Sequence, residues 1–204
     1  MRLMIAIPTG DRVRFEFCES LANLCKSLAE NGIDFDVRFH EGSAVYMARE
    51  TLAVAAIDEG YTHVLWLDSD MGFVPDLFYI LRNMGKPFVT CIYRSRRPPY
   101  MICLFDNLTL GTRFQEVPDK EFEVDGCGFG VVLMETKVLA DIHRKFHTIF
   151  EPFDGLGEDM ACCKRYRMMG GSIWSSPDAV ADHGCNVLLR AGDVSNLLNY
   201  TQMR

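Results

Sequence analysis

The 204-residue chain lacks any pair of cysteines in C-x-x-C spacing, although it carries eight cysteines. Cys162 and Cys163 are adjacent and the others are scattered, which leaves out the ligand spacing of a structural zinc site. Cys91 and Cys103 stand in apolar stretches and read as buried free thiols of a reducing compartment rather than as a disulfide frame. No apolar run approaches the roughly 20 residues of a membrane-spanning helix. Residues 1–8 already read as a core strand and are too short for a signal peptide. The expectation is a cytoplasmic chain with no membrane insertion. A G-x-G-x-x-G fingerprint is also missing, which removes the usual signal for dinucleotide binding. There is no internal repeat and no low-complexity segment. Basic residues are in deficit, 21 Lys and Arg against 28 Asp and Glu, for a net charge of −7. The surface as a whole therefore does not attract nucleic acid or anionic membrane.

What is present is an ordinary globular composition, 49% apolar and 24% charged, sized for one domain with a short appendage. The spacing predicts strands at 2–7, 35–39, 63–67 and 88–93, with helices at 15–30, after Ser43, and after Pro75. Ser43 is expected to cap the second helix, whose apolar face is Ala48, Leu52, Ala55 and Ala56. Strands alternating with helices imply a doubly wound, mostly parallel α/β sheet. From 94 to 120 the periodicity breaks around Pro98, Pro99, Gly111 and Pro118, as expected of irregular strands and a loop over a site. Further on come a strand at 131–134, a helix capped by Thr136, a helix at 158–169, and short strands at 172–174 and 179–180. Residues 1–186 form the domain and 187–204 an amphipathic, helical tail.

The sharpest chemical feature is Asp68-Ser69-Asp70, directly after the apolar strand Val64-Leu65-Trp66-Leu67. Ligands of open parallel sheets bind beyond the carboxyl ends of strands. Two carboxylates at i and i+2 there can bracket Mg²⁺ or Mn²⁺, which keep substrate phosphates in their other positions. The same triplet also fits a polar turn. Asp182-His183-Gly184 offers an imidazole to the same cation, though a lone histidine is more often structural. Glu158 and Asp159 open a helix, where acidic residues favour the dipole; the functional alternative is a general base for an acceptor hydroxyl. Gly126, Gly128 and Gly130 alternate around Cys127 before a strand. They either let a sugar or phosphate approach the backbone or mark a bulged hairpin. Tyr93, Arg94, Arg96, Arg97 and Tyr100 make a basic, aromatic loop that can face phosphate or simply be solvated.

In their order these pieces resemble GT-A glycosyltransferases, in particular small glycosyltransferase-2-like proteins common in phages and bacteria. The resemblance covers nearly the whole chain. It rests on Ile5-Ala6-Ile7-Pro8-Thr9, Ala48-Arg49-Glu50, Leu67-Asp68-Ser69-Asp70-Met71, Phe73-Val74-Pro75-Asp76, Asp125-Gly126-Cys127-Gly128-Phe129-Gly130, Gly157-Glu158-Asp159 and His183-Gly184. It implies a GT-A fold with a D-x-D motif and transfer of a sugar from a nucleotide sugar, a UDP-sugar favoured, with Mn²⁺ or Mg²⁺. Pro8 and Thr9 would lie beside the nucleoside and Arg49 on the diphosphate. Asp68 would face ribose or metal, with Asp70 and His183 on the metal. Gly126, Cys127 and Gly128 would line the donor sugar. Asp159, with Glu158 beside it, would be catalytic and face the acceptor, Asp159 as the base that takes the hydroxyl proton. Two departures stand out: Glu50 where many relatives carry Asn, and His40-Glu41-Gly42 in place of the usual aspartate after the second strand. The acceptor is either a saccharide or small-molecule hydroxyl, or a hydroxymethylated base in phage DNA within the host cytoplasm. The net charge opposes DNA; Tyr93, Arg94, Arg96 and Arg97, with Lys164, Arg165 and Arg167, favour it. A sugar-phosphate nucleotidylyltransferase and a non-catalytic nucleotide-sugar binder are the rival readings. The stretch Pro8-Thr9-Gly10-Asp11-Arg12 is a poor phosphate loop for the former.

Overall fold

The computed structural model describes residues 1–10, 12–42 and 44–184. The expected cap at Ser43 and the expected helical tail at 187–204 lie outside the described residues. In chain order the elements are β1 (Arg2–Thr9), α1 (Phe15–Glu30), β2 (Asp34–Glu41), α2 (Val45–Asp58), β3 (His63–Leu67), β4 (Met71–Gly72), α3 (Asp76–Asn83) and β5 (Phe88–Ile92). There follow β6 (Leu104–Asn107), β7 (Thr112–Arg113), β8 (Phe122–Val124), β9 (Gly126–Cys127), β10 (Val131–Glu135), α4 (Thr136–Phe146), α5 (Glu158–Arg167), β11 (Ile173–Val180) and β12 (Asp182–His183).

The main sheet runs β2-β1-β3-β10-β5-β11-β8. The strands β1, β2 and β3 are parallel neighbours, and β5 and β11 are parallel to each other. Between β3 and β5 stands β10, antiparallel to both. The alternation of the first ninety residues does predict the parallel part. It carries no sign of β10, because an inserted strand is set by tertiary pairing and not by its own periodicity. Residues 173–180 form one strand, not two: the register against β5 shifts between Ser175 and Val180, across Pro177, which has no N–H to give a ladder.

Two buried clusters cover the two faces of this sheet. β3 is apolar on both sides, so Val64 and Trp66 face one cluster while Leu65 and Leu67 face the other. Trp66, Phe129 and Phe150 meet edge to face at centroid separations of 5.2 to 6.1 Å. Burying three such rings contributes several kcal/mol and fixes the carboxyl end of β3 on a stiff base. The helix caps are weaker than expected. Thr136 does not cap α4: the cap residue is Glu135, and the Thr136 hydroxyl is buried without a partner. A second, three-stranded sheet runs β7-β6-β9 and holds the irregular segment after β5, which the Cys103 amide ties to the Tyr93 carbonyl. No described helix is long and apolar enough to cross a membrane.

Candidate active site

The chain leaves β3 at Leu67 and turns at once. The amide of Asp68 donates to the Gly130 carbonyl, and the amide of Met71 to the Asp68 carbonyl. Met71 then pairs with His183 in the two-stranded β4–β12 ribbon, which sets the imidazole beside Asp70. The turn is closed by the Gly184 amide on the Asp70 carbonyl, 2.8 Å. A Cβ on Gly184 would stand 2.9 Å from that carbonyl oxygen and 2.6 Å from Arg14 Nε, so only glycine lets the two segments approach. Residues more than 110 positions apart in sequence thus become neighbours through backbone pairing.

Asp70 carries two partners. Its Oδ2 accepts from Arg96 Nη1 at 2.5 Å, and its Oδ1 lies 3.6 Å from His183 Nε2. Burial raises the Asp70 carboxyl, but His183 and Arg96 outweigh it and hold the group below its ordinary value. The other ring nitrogen, His183 Nδ1, lies 2.8 Å from the Arg94 carbonyl oxygen. A carbonyl only accepts, so Nδ1 bears the hydrogen. Nε2 then faces the Asp70 carboxylate, either donating to it or, without a hydrogen there, turning its lone pair to a cation held between the two.

Arg49 projects from α2 into the interior with 2% of its surface exposed. Its Nη2 donates to Asp68 Oδ1 at 2.7 Å and its Nη1 to Glu158 Oε1 at 2.6 Å, with the guanidinium over the Phe129 ring. Burial works against the Arg49 charge, but Asp68, Glu158 and Asp159 hold it in the charged form. Burial also pushes the Asp68 carboxyl up, against the pull of Arg49. Both terminal nitrogens of the arginine expected on the diphosphate are therefore paired with protein carboxylates. Arg49 is a buried clamp joining the end of β3 to α5.

Next along α5, Asp159 accepts from the Met160 amide at 2.8 Å. Its carboxyl is pushed up to about 6, first by burial and then by the neighbouring Glu158 charge. A carboxylate poised near neutrality is suited to take a proton. Asp68, Asp70, Glu158 and Asp159 together set four carboxylates against the guanidinium groups of Arg49 and Arg96. An anionic diphosphate would be repelled by that surplus unless a divalent cation entered with it.

Among the described residues no three His, Cys, Asp or Glu side chains converge as a complete metal site. Asp70 and His183 nevertheless fit a cation: their donor atoms, 3.6 Å apart, can both reach one ion at the ~2.0–2.2 Å that Mn²⁺- or Mg²⁺-like cations require. A Nδ1–H tied to a carbonyl is the usual way a ligating histidine is oriented. The expected third ligand, Asp68, is turned to Arg49 instead.

Other expected site residues fare differently. Pro8 is buried and Thr9 half-buried at the end of β1, the Thr9 hydroxyl donating to the Gly10 and Arg12 carbonyls. Tyr93 is 5% exposed and its hydroxyl accepts from the Gly130 amide. It cannot stack on a base, and that role is withdrawn. A Cβ at Gly128 would collide with the Tyr93 hydroxyl and one at Gly126 with Leu108, so the glycine alternation admits protein side chains. Cys127 is fully buried against Cys163. Among the basic residues Arg94 donates to the Tyr100 carbonyl, Lys164 pairs with Asp154, Arg165 is buried on the Ile149 carbonyl, and Arg167 pairs with Glu123 and Asp125. These partners occupy four of the cations expected to face DNA, while Arg94 and Arg96 stay exposed at the surface. Arg97 is exposed. Sequence reasoning did not find Glu50's task. Its carboxylate accepts from the amides of Ile149 and Phe150 and from the Thr148 hydroxyl, anchoring the segment that leads into α5.

Solved structures of similar shape bear on this arrangement. A197 from STIV superimposes with a TM-score of 0.58 at 19% identity, over 93% of this chain and 97% of that one. GalNAc-T7 with UDP, GalNAc and Mn²⁺ gives a TM-score of 0.59 at 10% identity over 92% of this chain. The catalytic domain of Drosophila β1,4-galactosyltransferase 7 in complex with xylobiose gives 0.57 at 14% identity over the whole chain and 79% of that one. This is the GT-A fold. The chain spans 44% of the GalNAc-T7 chain. No protein-family model and no curated protein sequence matches it. In the GT-A frame, β3 and the 68–70 turn occupy the carboxyl edge of the sheet, where such folds place their ligands.

Proposed function

We propose that the protein is a glycosyltransferase that takes a sugar from a nucleotide-diphosphate sugar, a UDP-sugar in the first instance, and moves it to a hydroxyl of a saccharide or small molecule. The observation that carries this is that, on a GT-A frame, the charge of Asp68 reaches both a cation-ready pair, Asp70 and His183, and a carboxyl poised near neutrality, Asp159. The resemblance to small phage and bacterial glycosyltransferases and the UDP and Mn²⁺ named with GalNAc-T7 support the same reading.

Asp70 and His183 would hold Mn²⁺ or Mg²⁺, which when bound supplies neutralisation of the departing diphosphate. Arg49 keeps Asp68 and Glu158 fixed in place beneath the donor, so they need not reorganise during reaction. Asp159 accepts the proton of the acceptor hydroxyl through its carboxylate oxygens while its helix holds it in place. Tyr93 and the fully buried Trp66, Phe129 and Phe150 keep the floor of the site dry. DNA is the less favoured acceptor, because Tyr93 and Arg165 are buried and the net charge is −7.

The test is incubation with a panel of nucleotide sugars and saccharide acceptors with Mn²⁺, read by mass spectrometry. A product heavier than an acceptor by one glycosyl unit is the expected result, with slow donor hydrolysis when no acceptor is present. Binding of a nucleotide sugar with no turnover of any kind would make the protein a binder. Release of pyrophosphate from a nucleoside triphosphate and a sugar phosphate would make it a nucleotidylyltransferase.

A further inference from the structure

The segment between β5 and β6 touches both members of the cation-ready pair. Its Arg94 carbonyl orients His183, and its Arg96 guanidinium sits on Asp70 at 2.5 Å. The segment is internally braced: Ser95 donates from its amide to the Met101 carbonyl and from its hydroxyl to the Arg97 carbonyl, and Arg94 reaches the Tyr100 carbonyl. Asp70 is 19% exposed, whereas the Arg96 side chain is 59% exposed. A flexible, largely solvated cation thus covers one oxygen of a fixed, largely buried carboxylate. Its guanidinium fork can equally engage two phosphate oxygens.

We infer that Arg96 is a counter-ion exchanged during donor loading: it neutralises Asp70 before the divalent cation binds, leaves when the cation takes Asp70, and then grips the donor diphosphate. Arg96 sits on Oδ2 while the cation would take Oδ1 beside His183; two positive groups on one carboxylate repel each other and divide its charge, so the cation and Arg96 compete. An arginine 59% exposed has the freedom to turn outward, and the nearest anion then available is the diphosphate that the cation brings. This rests on the proposed cation role of Asp70 and His183. It gives Arg96 opposite effects on two equilibria, which a merely structural residue would not have.

The experiment measures Mn²⁺ binding to the intact protein by electron paramagnetic resonance of the free ion, and UDP binding at saturating Mn²⁺ by calorimetry. The proteins are wild type, Arg96→Ala, Arg96→Lys and, as a neighbour not on Asp70, Arg97→Ala. Arg96→Ala is expected to bind Mn²⁺ about three- to tenfold more tightly, as loss of a partly exposed ion pair allows, and UDP several-fold more weakly. Arg96→Lys should keep weak Mn²⁺ binding but lose part of the UDP affinity, and Arg97→Ala should leave Mn²⁺ binding unchanged. Unchanged or weaker Mn²⁺ binding by Arg96→Ala overturns the exchange while leaving the cation site in place. Absence of Mn²⁺ binding by every protein overturns the cation site and the exchange together.

Discussion

Asp159→Asn separates catalysis from stability. The carboxyl of Asp159 is raised from 3.8 to about 6 by burial and by Glu158. The folded protein therefore holds this proton more tightly than the unfolded chain does. Below about pH 3.8 both states are protonated and the group is neutral in its effect on folding. As pH rises through about 6 the folded state must accept a poorly solvated charge, and stability falls. A shift of roughly two units corresponds to about 3 kcal/mol at most; partial solvent access lowers the expected gain from Asn to about 1–2 kcal/mol at pH 8. Asn keeps an oxygen to accept from the Met160 amide, so helix α5 should survive. The assay is urea unfolding of both proteins at pH 8 and pH 4. The variant should be more stable at pH 8, and the difference should shrink towards pH 4. Its transfer rate should fall by about two to four orders of magnitude, with nucleotide-sugar affinity near wild type. The wild-type rate should decline below pH 6 as the base is protonated. Equal or lower stability of the variant at pH 8 would refute the desolvation argument, and a rate within a few-fold of wild type would leave Asp159 as no more than a helix-end residue.

Arg49→Met should cost about 3–5 kcal/mol in denaturant unfolding, because it leaves Asp68 and Glu158 facing each other without their cation; a loss under 1 kcal/mol would show that the clamp is not structural. Gly184→Ala, whose methyl would press on the Asp70 carbonyl and Arg14, should weaken Mn²⁺ binding while the protein still folds. An unchanged affinity would remove the turn from the account of the site. Glu50→Ala should destabilise by about 2–4 kcal/mol, since the Ile149 and Phe150 amides lose a charged acceptor. Thermal unfolding reads this directly, and a neutral outcome would mean that water replaces the carboxylate.

Much of the frame was legible because its signals are local. The period-two and all-apolar stretches predict β1, β2, β3 and β5, and the triplet after Leu67 is a candidate site visible in the sequence alone. The resemblance supplied the order of the motifs, and the fold agrees with it. What was missed depends on long-range geometry. Nothing near residues 131–135 says that they insert antiparallel between β3 and β5. Arg49 has the sequence look of an exposed phosphate hand, and only the depth of α2 against the Phe129 ring turns it inward. Tyr93 was misplaced for the same reason: whether a strand-end aromatic faces solvent or the glycines of a distant turn is decided by packing. The link from Arg96 to Asp70 spans a loop whose path no periodicity predicts. Glu50 was visible as a departure from related sequences, and its explanation, the amides of Ile149 and Phe150, lies about a hundred residues away.

The central claim, that Asp70 and His183 admit a nucleoside diphosphate only together with a divalent cation, is tested most directly by calorimetric titration of UDP into wild type and Asp70→Asn, each with Mn²⁺ and with EDTA. The account predicts measurable binding for wild type with Mn²⁺, and at least tenfold weaker binding for wild type with EDTA and for the variant under both conditions. Equally tight UDP binding by wild type in EDTA, or by Asp70→Asn in Mn²⁺, would contradict it.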